Sequence, residues 1–178
     1  MVPQLFKARM DSDRITRWLR QYVYGGGTLI FCDEAMHAVP DHVNHWLHDT
    51  WGSRWRVGST RSTEVVRSGD AVGPINAGQL TDLPLRWHSG FTGLRNVHTQ
   101  DAWYRVPAGA MCLDKRGRPK PVPVHEYNQT AVAFATEGEG WLGWIGDNDG
   151  QPEQEMVIAA MLKLDLAEWY DSDCSGSF

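Results

Sequence analysis

Residues 12–32 constrain the fold more than any other part of the chain. Ser12 is a good helix N-cap, and apolar side chains then recur at helical spacing on one face. These apolar residues are Ile15, Trp18, Leu19, Tyr22 and Val23. Residues 25–27 are glycines, which end a helix without steric cost. The run at 28–32 is almost entirely apolar, which is typical of a strand buried on both faces. The segment therefore predicts half of an α/β unit.

Local signals predict further elements along the rest of the chain. A second helix is expected at about residues 40–50, and a final helix near Pro152, because proline suits the first turn. Two apolar runs, 130–135 and 141–145, are joined by a glycine-bearing link that favours a hairpin. Between these elements, prolines and glycines interrupt the pattern, so only brief strands are expected. These brief strands are 56–57, 63–67, 93–97 and 103–106.

Together these elements predict a three-layer α/β fold. We expect a mostly parallel central sheet with helices on both faces and a C-terminal β-hairpin, abbreviated at the N-terminus. The chain of 178 residues is long enough for one domain, which we assign to residues 1–170. Residues 171–178 are expected to form a flexible tail.

Composition excludes several classes of function. The formal net charge is −5 and no basic block appears, which argues against a nucleic-acid partner. No apolar run approaches the ~20 residues that span a bilayer, so no membrane partner is expected. Three scattered cysteines do not make a disulfide framework and favour a cytoplasmic location. No phosphate-binding loop or dinucleotide fingerprint is present, so no cofactor is predicted.

Two segments carry a resemblance to a known family. The helix leading into GGGTLIFC, residues 25–32, resembles the approach to the central strand of class I glutamine amidotransferase-like domains, including the trehalose-utilisation type. The closing run at 131–147, which ends in Gly146-Asp147, resembles their last hairpin. Residues 51–58, WGSRWRVG, look like a stretch of uncharacterised fungal proteins labelled lipase-like. The resemblance implies a flavodoxin-like fold.

The resemblance also implies a partner. Domains of that class open with two or more βα units before the glycine turn, whereas here about eleven residues precede the first helix. A sheet that lacks its first strands would leave an exposed parallel edge, which natural proteins cover. We therefore expect a homo-oligomer, or a partner protein that covers the sheet edge.

Cys32 is the candidate nucleophile. It ends the apolar run and precedes Glu34 and His37, which are its candidate catalytic partners at a strand-to-helix elbow. Asp33 beside the thiol would raise its pKa and disfavour the thiolate. The family pairs its cysteine with a His-x-Glu after the last strand, but residues 146–150 contain no histidine. No triad is assembled in the sequence, and a buried structural cysteine is the simpler interpretation.

A ligand rim is the second candidate site. Asp33, Asp147 and Asn148 each follow a predicted strand, and ligands of open α/β sheets bind beyond the carboxyl ends of the strands. A carboxylate cluster at such a rim can hold a cation or act as a general base, and the rim can bind a small-molecule ligand. The alternative for residues 146–150 is a sharp turn held by its own Asp and Asn side chains.

Four histidines lie between residues 37 and 48. His42 and His45 can share a metal with Asp41 or Asp49. The usual zinc spacing with an intervening glutamate is absent, and His42, His45 and His48 sweep around the helix. We therefore favour a solvated polar face and predict no metal.

Each enzyme pattern lacks at least one required residue. The sequence therefore favours a diverged amidotransferase-like domain that acts as a binding or assembly module. The alternative is a hydrolase-type enzyme that uses Cys32, or a rim cluster of carboxylates and histidines, on a small-molecule substrate.

Overall fold

A computed structural model describes residues 9–32, 39–71, 82–114, 116–147 and 149–164. The helices are α1 (Arg9–Tyr24), α2 (Pro40–Trp51) and α3 (Pro152–Met161). The strands are β1 (Thr28–Phe31), β2 (Arg56–Arg67), β3 (Arg86–Arg95), β4 (Ala102–Arg105), β5 (Met111–Leu113), β6 (Pro119–Pro121), β7 (Thr130–Glu137) and β8 (Gly140–Ile145). Short 3-10 turns occupy Thr99–Asp101 and Val124–Glu126.

The eight strands form one sheet that is mostly antiparallel. Its order is β1-β8-β7-β3-β2-β5-β6, and β4 pairs with both β2 and β7. Because β2, β3, β7 and β4 pair in a cycle, these four strands close into a small barrel. In the part of the chain described above, β1 and β8 are the one parallel pair. The predicted three-layer α/β, flavodoxin-like fold with a mostly parallel sheet is therefore wrong.

The connections explain the direction of the sheet. A parallel pair needs a crossover of a dozen or more residues, whereas an antiparallel pair can be joined by a short turn. Two residues join β7 to β8, and residues 114–118 join β5 to β6. Both pairs are accordingly antiparallel. The apolar runs in the sequence indicate that the strands are buried. They do not indicate whether neighbouring strands are parallel or antiparallel.

α1 packs against β1 and β8, whereas α2 packs mainly against β2. Leu29 and Phe31 face a cluster formed with α1 and α2, whereas Ile30 and Cys32 face the cluster that contains α3. Of the β1 residues, only Phe31 is fully buried. β1 lies at the end of the strand order, so its predicted place in the middle of a helix-covered sheet is also wrong.

Strands β2 and β3 are longer than the brief strands that the sequence predicted at 56–57, 63–67 and 93–97. A Cβ at Gly58 or at Gly93 would overlap the side-chain amide oxygen of Gln129. That buried oxygen accepts a hydrogen bond from the backbone N of Ser59 at 3.1 Å. The glycines therefore make room for Gln129 inside continuous strands, and the register shifts between Val57 and Thr60 instead.

The local predictions fare better. The predicted hairpin is formed by β7 and β8, and the final helix begins at Pro152 as expected. The helix expected at 40–50 is α2. The first helix ends before the glycines as expected, but it begins at Arg9 rather than after a cap at Ser12. None of the described helices is both long and apolar enough to cross a membrane.

Candidate functional site

The predicted catalytic group is only partly within the described residues. Cys32 directly follows β1, is half-buried, and packs against the core cluster that contains α3. Glu34 and His37, its candidate partners, lie outside the described residues, as does Asp33. The elbow site around Cys32 therefore stays a prediction.

Asp147 lies in a turn that fastens β8 to β3. Its carboxylate is buried, and it accepts hydrogen bonds from Trp87 Nε1 at 3.3 Å and from the backbone N of Asp149 at 2.7 Å. The Asp149 carboxylate in turn accepts a hydrogen bond from the backbone N of Gly90 at 2.6 Å. The bond from the backbone N of Asp149 lies within the turn, which its own aspartate holds, and the bonds from Trp87 and Gly90 connect the turn to β3. Asn148, like Asp33, lies outside the described residues, so the ligand rim stays a prediction.

The histidines of α2 pair with a carboxylate. His48 Nδ1 lies 2.8 Å from Asp49 Oδ1, and His45 Nε2 lies 3.7 Å from Asp49 Oδ2. The hydrogen bond with His48 lowers the pKa of Asp49. His42 is exposed. Within the described ranges, no group of three or more His, Cys, Asp or Glu side chains is placed to hold a metal ion.

The unpaired side of β1 is a candidate interaction site. The backbone N of Trp141 donates to the carbonyl oxygen of Gly27 at 3.0 Å. The backbone groups of Gly27 therefore point toward β8. In a parallel ladder the N–H and C=O of one residue point to the same side, and successive residues alternate. The backbone groups of Leu29 and Phe31 therefore face β8, whereas those of Thr28 and Ile30 face away. In the described part of the chain, no strand pairs with this outer side of β1.

The two ends of the sheet differ in chemistry. β6, at the opposite end, has the sequence Pro119-Lys120-Pro121. Proline and lysine are residues with which natural proteins prevent an edge strand from pairing with another chain. β1 has the sequence Thr-Leu-Ile-Phe and carries no such residue. β1 is therefore the edge that is competent to pair.

An apolar stripe on α1 lies close to this edge. Ile15, Trp18 and Tyr22, which we call the α1 stripe, are 40%, 55% and 58% exposed. The guanidinium of Arg14 lies 4.4 Å from the centre of the Trp18 ring. The Tyr22 ring packs where a Cβ of Gly27 would be, directly before β1. Aromatic residues and arginine are enriched in protein–protein interfaces. Tyr22 joins the stripe to the start of β1, so the stripe and the edge together are a candidate interface.

The sequence identified the α1 residues but not their role. All five apolar positions of the helix were expected to face the core. Val23 is buried and Leu19 is half-buried against it, but the other three face solvent. Two features of the sequence could have indicated this exposure. The apolar face of α1 is wider than one strand and one helix can cover, and Arg14, Arg17 and Arg20 alternate with its apolar residues.

No family model matches this chain, and no curated protein matches it. The resemblance to amidotransferase-like domains therefore stays a prediction. No match supports an amidotransferase or a hydrolase assignment.

Proposed function

We propose that this chain is an assembly module that forms a two-fold symmetric homodimer through β1 and the α1 stripe. The observation that carries the proposal is the contrast between the two sheet ends. The prolines and lysine of β6 disfavour pairing with another strand. The backbone groups of Thr28 and Ile30 in β1, by contrast, have no strand beside them among the described residues. An apolar edge of this kind is a template for a second strand.

The second copy is the occupant that fits this edge. Closed two-fold dimers are the commonest oligomers, and their interfaces use the same surface on both subunits. Two β1 strands related by a two-fold axis run antiparallel, and residues 28–31 are apolar enough on either copy to match. The sheet would then continue through the dimer as β7-β8-β1-β1-β8-β7.

The α1 stripe supports the same arrangement. α1 packs on one face of β1 and β8, so two-fold pairing of the edges places both α1 helices on the same face of the joined sheet. Trp18 and Tyr22 are large side chains that gain most from leaving water, since apolar burial contributes about 25 cal/mol per Å². Their burial against the partner's α1 stripe would supply the apolar centre of the interface.

We expect the wild-type chain to sediment at twice its 20.1 kDa monomer mass. Thr28→Pro removes an N–H that faces away from β8, and Trp18→Glu places a charge in the α1 stripe, so both variants are expected to be monomers. Analytical ultracentrifugation across micromolar concentrations measures the masses, and circular dichroism checks that the variants are folded.

Val124→Glu is the matched control. Val124 is 78% exposed and lies on the 3-10 turn before β7, so this variant is expected to remain a dimer. A wild-type monomer at all concentrations, or a Trp18→Glu variant with the wild-type mass, would contradict the proposal.

A further inference from the structure

A polar cleft has no lining residue in β1 or in the α1 stripe. It has a volume of about 860 Å³ and lies between the end of α2, the chain after β3 and the end of β7. We call it the α2 cleft. Ligand sites usually have volumes of about 300–1,000 Å³. Its lining includes Trp51, Arg54, Arg56, Asp101 and Glu137.

The loop that forms one wall is held rigidly. Gly52 ends α2 in the left-handed conformation, with φ 62°, and its N–H donates to the carbonyl oxygen of His48. The backbone N of Trp55 donates to Ser53 Oγ at 3.1 Å. Arg56 Nη1 donates to the carbonyl oxygens of Ser53 and Trp55 at 3.2 and 2.8 Å. A wall fixed in this way is preorganised, which reduces the entropy lost on binding.

The charges of the cleft are balanced. Arg54 and Arg56 are cationic, and Asp101 and Glu137 are anionic. Arg54 is exposed and makes no hydrogen bond or ion pair with any described residue. Asp101 is half-buried, and burial raises the pKa of its carboxyl. Glu137 Oε1 accepts a hydrogen bond from the Tyr24 hydroxyl at 2.7 Å. A simple anion or a simple cation would satisfy only one half of this set.

Trp51 forms a buried part of the cleft wall. It is 4% exposed, and its Nε1 has no hydrogen-bond partner among the described residues. The Nε1 atom is itself shielded from solvent, and the ring packs edge-on against Trp46 with 5.7 Å between the ring centres. The indole N–H can therefore report on the cleft without itself contacting a bound molecule.

We propose that the α2 cleft binds a small zwitterion of the size of a dipeptide, with a free carboxylate and a free ammonium group. The carboxylate accepts hydrogen bonds from Arg54, whose planar guanidinium suits two-point contact with a carboxylate. The ammonium group donates to Asp101 and Glu137. This binding site is independent of the dimer interface.

Three matched probes test the proposal. The full-length ¹⁵N-labelled chain is titrated with alanyl-alanine, with N-acetyl-alanyl-alanine, which lacks the ammonium group, and with alanyl-alanine amide, which lacks the carboxylate. The Trp51 indole N–H resonance, assigned with Trp51→Phe, reports binding. We expect the zwitterion to bind about tenfold more tightly than either capped probe, the effect of losing one charge-assisted contact.

Variants identify which side chain binds the carboxylate and which binds the ammonium group. Arg54→Gln is expected to abolish the preference for a free carboxylate, and Asp101→Asn the preference for a free ammonium group. Arg116→Gln, an exposed arginine outside the cleft, is the control and should bind like wild type. Equal affinity for the three probes, no binding at millimolar concentration, or an unchanged Arg54→Gln variant would overturn the proposal.

Discussion

Replacing Gly140 with alanine will lower the free energy of unfolding by about 3 to 4 kcal/mol, the range of the most disruptive single substitutions. Gly140 is buried at the first position of β8, where a Cβ would overlap the carbonyl oxygens of Val23 and Gly27. Both are backbone atoms, so they cannot move without displacing the end of α1 and the start of β1. Urea denaturation followed by circular dichroism measures the change.

Gly69→Ala is the control for this substitution. Gly69 is exposed in the turn after β2, and no described atom lies within 4 Å of where its Cβ would be. Its stability is expected to stay within about 0.5 kcal/mol of wild type. Equal stability of the two alanine variants would show that α1 and the β7–β8 hairpin do not meet as described.

Replacing Glu126 with glutamine is expected to lower the free energy of unfolding by about 2 to 3 kcal/mol, because it leaves a charged partner incompletely paired. Glu126 is buried, and Arg61 donates to both of its oxygens, from Nε to Oε2 and from Nη2 to Oε1 at 2.6 Å. The Arg61 side chain is 26% exposed, so water offsets part of the loss. Denaturant titration at pH 7 measures it.

The same pair predicts a pH dependence. The hydrogen bonds from Arg61 lower the pKa of Glu126 below its ordinary 4.5. A carboxyl whose folded pKa is depressed adds stability above its unfolded pKa and loses it as the pH falls through the folded value. The difference between wild type and Glu126→Gln should therefore be full above pH 4.5 and shrink on acidification.

An exposed ion pair provides the comparison. Arg86 Nη1 lies 3.2 Å from Glu64 Oε1 on the outer surface of β2 and β3. Exposed pairs contribute at most about 1 kcal/mol, so Glu64→Gln should have a small effect at any pH. A Glu126→Gln variant as stable as wild type at pH 7 would contradict the role given to its pair with Arg61.

The elements that could be predicted are those that local chemistry determines. The glycines at 25–27 end α1, Pro40 and Pro152 start their helices, and a two-residue link makes the β7–β8 hairpin. Each signal lies within a few residues of the feature that it specifies. Such signals do not reach across the chain.

The order of the strands in the sheet could not be predicted, because most paired strands are far apart in the sequence. An apolar run such as residues 28–31 reports burial, but an edge strand covered by helices and a central parallel strand give the same run. Gly58 and Gly93 lie inside long strands because they accommodate the Gln129 side chain, which lies far along the chain. Packing against that side chain, not local propensity, determines the continuity of the strands.

The candidate sites were missed for the same reason. The predicted rim depended on a parallel sheet, and the α1 stripe was assigned to the core. The α2 cleft combines Trp51, Asp101 and Glu137 from separate segments, and no motif spacing connects them. Only the folded chain brings these side chains to one surface.

The pairing of β1 with β8 has a consequence for biosynthesis. Residues 28–31 leave the ribosome before their partners at 141–144, which are translated more than a hundred residues later. During that interval the nascent chain carries an apolar strand with neither of its sides paired, and exposed apolar strands in incomplete chains promote aggregation. We therefore expect newly made chains to be most prone to aggregation before translation reaches β8.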